Sequence, residues 1–584
     1  MSKGARPRGR SRPPSRPPGA GGSAERPALG PPRAWALLGA AALFLCGCAV
    51  FWGTRTYEFL NWDDPIYILK NPWIQQLTWQ NIRTIFTQAY FLNYLPLHLL
   101  SYMIDHAIWG LNPKGYHISS VLIHGLNSVL CLLVARRLTG SFMTGIITAL
   151  LFAVHPAHVE AVAWISSRKE VLSTTFMLLS VLAYLVAREG KSLRPLPYAA
   201  SVLCFLLGML SKASVVVLPA FLLLLDWAPR SPRAVRPSLL ASLASKVPYG
   251  IVGLILMVVN SRVQVTASAA YAQDRIWYLA VKGHAAWSYL ALLLGKPGQP
   301  DYDEPAVGSG LLLFGNILGL LVLPALAWVC FRLKRRTEFL GLSWTFITLL
   351  PALLFPLVTY MADRYLYAPS IGFCWTLAAV AVGLGKLDRW PRVAARGYAA
   401  LAAVLVVAAG FTLGTLRYSG VWRSSDTLWT FALTKSKDFR IYNNLADVRM
   451  RQQRWAEAER LLRKGTDVEN ITSYQSLGVL YHETDRLDEA IAATDHAIRL
   501  LAKEKKPIPS LSAELHFNRG GTFYKKGDVA TAIAEWRFAL HEDPSHAQAR
   551  EWLKIATNGK EGGGAPAGLS GDAGVLTGAA GVHR

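Results

Sequence analysis

Charge is what this sequence has least of. Only 17% of its 584 residues are Asp, Glu, Lys or Arg, where soluble domains hold about a quarter. The deficit is uneven: charges crowd the first 33 residues and the stretch after Arg417, and long apolar runs lie between. That pattern excludes a single soluble globular domain. Acidic residues are the scarcer sign, 37 against 61 basic, for a net charge of +24. The basic residues sit mostly in short loops between apolar segments, so the surplus speaks for membrane orientation and against nucleic acid as a partner. Cysteine is sparse as well. All six (Cys46, Cys48, Cys131, Cys204, Cys330 and Cys374) fall inside apolar runs. None has zinc-ligand spacing in a polar loop, and none sits in the soluble tail to staple it. The apolar half also lacks internal duplication, which counts against a transporter built from repeats.

What is present reads as an all-α polytopic membrane protein. Residues 1–33 are rich in Arg, Pro, Gly and Ser and are expected to be a disordered, basic, cytoplasmic leader. Residues 34–53 form an apolar run long enough to span a bilayer and longer than the core of a cleaved signal peptide. Further candidate spans run 117–135, 142–160, 171–187, 197–210, 213–227, 247–260, 309–331, 339–358, 367–385 and 397–416. With the N-terminus inside, the loops at 136–137, 188–194, 230–246, 332–336 and 386–396 all fall inside, and each is basic. Residues 276–295 would invert the later part of that pattern if they spanned, so they are assigned to a partly buried or re-entrant helix, giving about eleven spans. The polar segments at 61–65, 155–170, 212, 260–304 and 362–365 then share the outer face. Polar groups gathered at that boundary, rather than scattered through the midplane, point to a membrane-embedded enzyme that opens outward.

After an aromatic connector at 418–437 the periodicity changes. Leu445-Ala446, Leu477-Gly478 and Arg519-Gly520 align; so do Ala458, Ala490 and Ala532, and likewise Gly465, Ala497 and Ala539. Small residues at fixed places let paired helices approach closely, which is the tetratricopeptide pattern. It predicts about three repeats over 438–557, with an insertion at 503–510, and a disordered tail over 558–584.

Several motifs occur in a fixed order: Asn61-Trp62-Asp63-Asp64-Pro65, Gly110-Leu111-Asn112-Pro113, His124-Gly125-Leu126-Asn127, Arg137-Leu138-Thr139-Gly140, the run from His155-Pro156-Ala157-His158-Val159-Glu160 to Arg168-Lys169-Glu170, then Ser211-Lys212 and Ala362-Asp363-Arg364-Tyr365. Together with the repeats, the chain over residues 55–550 resembles the transmembrane and tetratricopeptide-repeat O-mannosyltransferases and their bacterial relatives. The resemblance implies a GT-C-type transmembrane domain over 34–417, a polyprenyl-phosphate-linked sugar donor, mannose-like in its sugar, and a catalytic carboxylate in the first outer loop, 54–116. The acceptor is expected to be extracytoplasmic and protein, with the concave surface of the repeats binding the acceptor or a partner.

Chemistry asks for the same residue types. Transfer of a sugar from a lipid phosphate to a hydroxyl needs a base for the hydroxyl proton. Asp63 and Asp64 stand equally as that base, set against a plain solvated turn before Pro65. The leaving phosphate needs cations. Arg168, Lys169, Lys212 and Arg364 are the candidates, Arg364 for a two-pronged contact, with snorkelling at helix ends as the alternative for the others. His155, His158, Glu160 and Asp363 are assigned to donor sugar or phosphate, or to a satisfied polar cluster; no third outer ligand supports a metal, and no cofactor is expected beyond the lipid-linked donor. Bacterial relatives place Arg or His where this chain has Leu95, so a polar contact is lost there or supplied elsewhere. The expected site is a bacterial inner membrane with repeats and active site on the periplasmic side, or the lumenal side of an endoplasmic reticulum membrane. The competing reading is a non-catalytic membrane scaffold whose repeats assemble envelope proteins.

Overall fold

The computed structural model describes residues 33–91, 93–190, 192–227, 237–263, 275–306, 308–355, 359–389, 393–504 and 508–558. The expected leader and tail lie almost wholly outside these, as do parts of the 230–246 and 386–396 loops and of the 503–510 insertion. The described residues form helices joined by turns and loops, with no strand among them.

Among the described residues seven helices are long and apolar enough to cross a membrane: Ala34–Thr56, Pro113–Thr139, Ile165–Ala187, Leu239–Arg262, Gly310–Arg332, Arg336–Leu354 and Ala395–Arg423. The pair Phe142–Ala153 and Pro156–Ala163, bent by 55°, makes an eighth if it counts as one span. The bend sits where Pro156 removes a backbone donor, and His155 caps the new turn by accepting from the Ala157 amide at 3.2 Å. The remaining three expected spans are shorter apolar helices, Pro195–Ser211, Ala213–Trp227 and Pro369–Gly385. The expected re-entrant segment is a helix, Arg275–Leu293, outside the set apolar enough to cross. Gly283 lets it lie against Gly310–Arg332, since a Cβ there would come 1.9 Å from the Asn316 carbonyl oxygen. Large apolar side chains such as Leu37, Leu254, Leu311 and Val406 point out of the bundle. Exposed greasy surface of this kind on apolar helices is what lipid would cover.

The polar ends of the bundle sort into two sets. Arg137 pairs with Glu189, Ser141 donates to Asp388 at 2.5 Å, and Asp226 binds both Arg188 at 3.1 Å and Lys246 at 2.8 Å. Four of the five basic loops therefore meet at one end. The segments 61–65, 155–170, 212 and 363–365 meet at the other.

The first loop is not a simple connector. It contains the turn Pro65–Leu69 and the helices Trp79–Thr87 and Pro96–Trp109, folded around buried Tyr67, Ile68, Ile74 and Tyr102. The C-terminal part consists of helix pairs: Phe439–Arg451 with Trp455–Gly465, Ile471–Glu483 with Leu487–Leu501, and Pro509–Lys525 with Val529–Glu542, followed by Ala547–Asn558. The aligned small residues are the contacts. Ala458, Ala490, Ala497, Ala532 and Ala539 are wholly buried. At Gly478 a Cβ would meet the Thr494 hydroxyl at 2.5 Å, and at Gly520 the Trp536 ring at 2.7 Å.

Candidate active site

The Asn61-Trp62-Asp63-Asp64-Pro65 segment is a turn entering a short helix, with Asp64 at φ −60° and ψ −37°. Successive side chains on such a turn still diverge, by about 100°. Asp64 points inward and is fully buried. Its carboxylate accepts from the Leu60 amide at 2.8 Å, from the Ser166 amide at 3.1 Å and from the Ser166 hydroxyl. Burial pushes it up to about 6 against those donors. Asp64 is thereby engaged as a clasp between the first loop and the start of the 165–187 span.

Asp63 points the other way. Its carboxylate has no hydrogen-bond or ion-pair partner among the described residues. Burial raises its pKa above the ordinary carboxylate range, while the charges of Lys169 and Arg364 pull it back. The two aspartates that the sequence left level are thus told apart by their partners.

Around Asp63 stand the cations. Arg364 pairs through its guanidinium with Glu160 Oε1, and its backbone amide donates to Glu160 Oε2 at 2.8 Å. The guanidinium lies 5.4 Å over the Trp164 ring and 5.0 Å over the Tyr365 ring. Lys212, at the break between Pro195–Ser211 and the next helical turn, pairs with Glu170 and lies 5.0 Å over the same Tyr365 ring. Lys169 has no ion pair among the described residues; its amine lies 5.6 Å over the Tyr67 ring. Asp63, Lys169, Lys212 and Arg364 therefore belong to one electrostatic cluster, in which Glu160 and Glu170 neutralise two of the three cations.

The other expected site residues are engaged elsewhere. Arg168 is buried, ion-paired with Asp105 at 2.5 Å and bonded to the Tyr116 carbonyl at 2.7 Å. It is a strut between the start of the 165–187 span and the first loop, held by an aspartate that the sequence offered no reason to pair with it. His155 joins the Leu293 carbonyl at 3.0 Å, and His158 the Ser370 hydroxyl at 2.7 Å. Both are buried and engaged by these partners. Asp363 accepts from the Tyr302 hydroxyl and, at 3.1 Å, from the Tyr418 hydroxyl. Burial and the neighbouring Glu160 charge hold its pKa well above the ordinary carboxylate range, and its bond from Tyr302 ties it to the 298–302 segment. Gly298 is required there, because a Cβ would fall 1.7 Å from Asp363 Oδ2. No three His, Cys, Asp or Glu side chains are grouped to hold a metal among the described residues.

Sequence reasoning missed the aromatic surfaces. Tyr67, Tyr365 and Trp164 carry the cations, and Trp62 stacks on Trp164 at 4.6 Å beside Trp422 and Trp429. The signal available was adjacency: Tyr365 follows Arg364, and Trp62 precedes Asp63 in the same motifs.

No family model matches the chain. Over 79% of its length it is 26% identical to the protein O-mannosyl-transferase TMTC3 of Mus musculus, covering 54% of that protein. Over 61% it is 27% identical to the protein O-mannosyl-transferase TMTC4 of Homo sapiens, covering 56%. The chain thus spans about half the length of the curated relatives it matches. Among solved structures, the archaeal oligosaccharyltransferase AglB from Archaeoglobus fulgidus, in complex with an inhibitory peptide and a dolichol-phosphate, aligns at 14% identity and a TM-score of 0.36, over 70% of this chain and 59% of that one. In sequence, this chain is a relative of the TMTC protein O-mannosyl-transferases.

Proposed function

We propose that the chain is a GT-C-type membrane glycosyltransferase that moves a mannose-like sugar from a polyprenyl phosphate to a hydroxyl of an extracytoplasmic acceptor, with protein as the acceptor class. The observation that carries this reading is the unbonded Asp63 carboxylate beside Lys169 and Arg364. A base must have a free oxygen for the incoming proton, and the leaving phosphate must find positive charge within the same few ångströms. Asp63 takes the hydroxyl proton as the acceptor oxygen attacks the anomeric carbon and the sugar–phosphate bond breaks. The lipid phosphate leaves with the bonding electrons, into the field of Lys169, Arg364 and Lys212. Lys169 is the cation with most to offer, since Glu160 and Glu170 already occupy the other two.

The C-terminal helix pairs are assigned to tetratricopeptide repeats and to acceptor or partner binding, on the strength of their small-residue contacts. The basic end of the bundle is placed in the cytoplasm and the site on the opposite side.

The test is a transfer assay on purified protein, offering several polyprenyl-phosphate sugars and following label into co-purifying polypeptides. Asp63→Asn is expected to lower transfer by about two to four orders of magnitude, the range of a positioned base. A wild-type protein that binds polypeptide but transfers no sugar from any donor would favour the scaffold reading instead.

A further inference from the structure

The first helix of the C-terminal domain touches both halves of the site. On the base side, Asn61, two residues before Asp63, is held through its backbone amide and through both polar atoms of its side chain. Its amide nitrogen donates to Asp447 Oδ2 at 2.8 Å and to the Asn444 carbonyl at 3.1 Å. Its side-chain oxygen accepts from the Trp429 indole at 2.6 Å, and its backbone amide donates to the Ser425 hydroxyl at 2.9 Å. Trp62 packs in an indole cluster, its ring 4.6 Å from Trp164, 5.0 Å from Trp429 and 6.4 Å from Trp422. On the phosphate side, Arg440 of the same helix pairs with Asp301 at 3.1 Å, and Ser436 just before it donates to Asp303. Between those aspartates sits Tyr302, whose hydroxyl donates to Asp363, the neighbour of Arg364.

We infer that Asn61 is a positioning residue, through which the helix Phe439–Arg451 fixes the place of Asp63. The C-terminal domain is then a wall of the catalytic site and not only a tethered platform for acceptors. This rests on the transferase reading above for its consequence and on the contacts alone for its mechanism. The turn at 61–64 is anchored at three points: Asp64 on Ser166, Trp62 on the indole stack, and Asn61 on Asp447 and Trp429. The Asp63 carbonyl accepts from the Ile66 and Tyr67 amides at 3.1 and 3.0 Å, but its carboxylate has no partner among the described residues, so the carboxylate sits where its backbone and those anchors put it. Release of Asn61 frees the carboxylate to drift while leaving the cation cluster, and so donor capture, in place. The coupling runs in reverse as well: anything that shifts the first helix pair when an acceptor docks moves the base.

The experiment uses the full chain, with Asp447→Ala to break the bond and Asp447→Asn to keep an acceptor oxygen at the same place without charge. Two readouts are taken. In the donor-free protein, amide hydrogen exchange of a peptide covering residues 58–70 is expected to quicken by at least about tenfold in Asp447→Ala and to return towards wild type in Asp447→Asn, while residues 439–451 keep their protection. In the transfer assay, kcat is expected to fall about tenfold in Asp447→Ala with donor KM within about twofold of wild type. Unchanged exchange over 58–70 overturns the inference. So does a loss that Asp447→Asn fails to rescue, which would assign the effect to the Arg451 ion pair on the same carboxylate. A fall in protection over 439–451 in step with 58–70 also overturns it, as plain unfolding. If the wild-type protein transfers no sugar, the transferase reading fails, and the exchange arm still decides the coupling.

Discussion

The two ends of the helical bundle each bury a cluster of charges, and the clusters differ in one respect. At the basic end Asp226 is completely served: Tyr184 donates at 2.7 Å, Ser242 at 2.6 Å, Lys246 at 2.8 Å and Arg188 at 3.1 Å. Tyr184, in turn, accepts from Lys246 at 2.6 Å and from Arg188 at 2.9 Å. At the opposite end, six charged side chains form two closed pairs, Arg364 with Glu160 and Lys212 with Glu170, and leave Asp63 and Lys169 open. A closed network holds helices together. An open carboxylate beside an open cation costs stability and is worth that cost only where a substrate supplies the missing partners.

That contrast can be broken at either end. The largest stability effect belongs to Asp226→Ala, which strands Arg188 and Lys246 without their carboxylate. Losing one partner of a buried pair costs about 3–5 kcal/mol, so the purified variant is expected to unfold at markedly lower temperature or denaturant concentration, while any folded fraction keeps its turnover per molecule. Normal stability in that variant would remove the distinction between the two clusters.

Arg364→Lys comes next. Lysine keeps the charge but cannot stack its flat face between Trp164 and Tyr365 while reaching Glu160. Transfer is expected to drop by about ten- to a hundredfold with little change in melting. Equal activity would mean that a point charge suffices there and that phosphate is held elsewhere.

Lys169→Gln sharpens the comparison with the smallest effect. Lys169 lowers the Asp63 pKa, which burial holds above its ordinary value. A base works only when deprotonated, so kcat/KM should rise with pH as Asp63 loses its proton. Removing the lysine charge lets that pKa climb, and the acid limb of the profile should move to higher pH, by up to about one unit. A limb that stays put, or moves to lower pH, would separate Lys169 from Asp63.

Much of this was legible in the residues, and the failures have physical reasons. Every expected span contains a helix, because apolar length is written locally. The basic loops forecast which helix ends meet, through the Arg137–Glu189 and Arg188–Asp226 contacts. Asp63, Lys169, Lys212 and Arg364 were named because charge that interrupts apolar sequence demands a purpose. Arg168, His155 and His158 turn out to be held by internal partners that the sequence does not point to. Those partners, Asp105, the Leu293 carbonyl and Ser370, lie 63, 138 and 212 residues away or come from packing that no local pattern encodes. The clamp of Asn61 on Asp447 spans 386 residues and two regions read separately, a membrane half and a repeat half. Nothing in either half announces the other.

The most direct measurement sets Asp63→Asn beside Asp64→Asn, each scored for donor turnover and for thermal stability. The Asp63 carboxylate is unbonded, so its variant should keep the fold and lose about two to four orders of magnitude in turnover. Asp64 is a clasp that accepts from Leu60 and Ser166, so its variant should lose stability by about 1–3 kcal/mol and retain more turnover per folded molecule. The reverse result, an inactive but fully stable Asp64→Asn together with an active Asp63→Asn, would contradict the account.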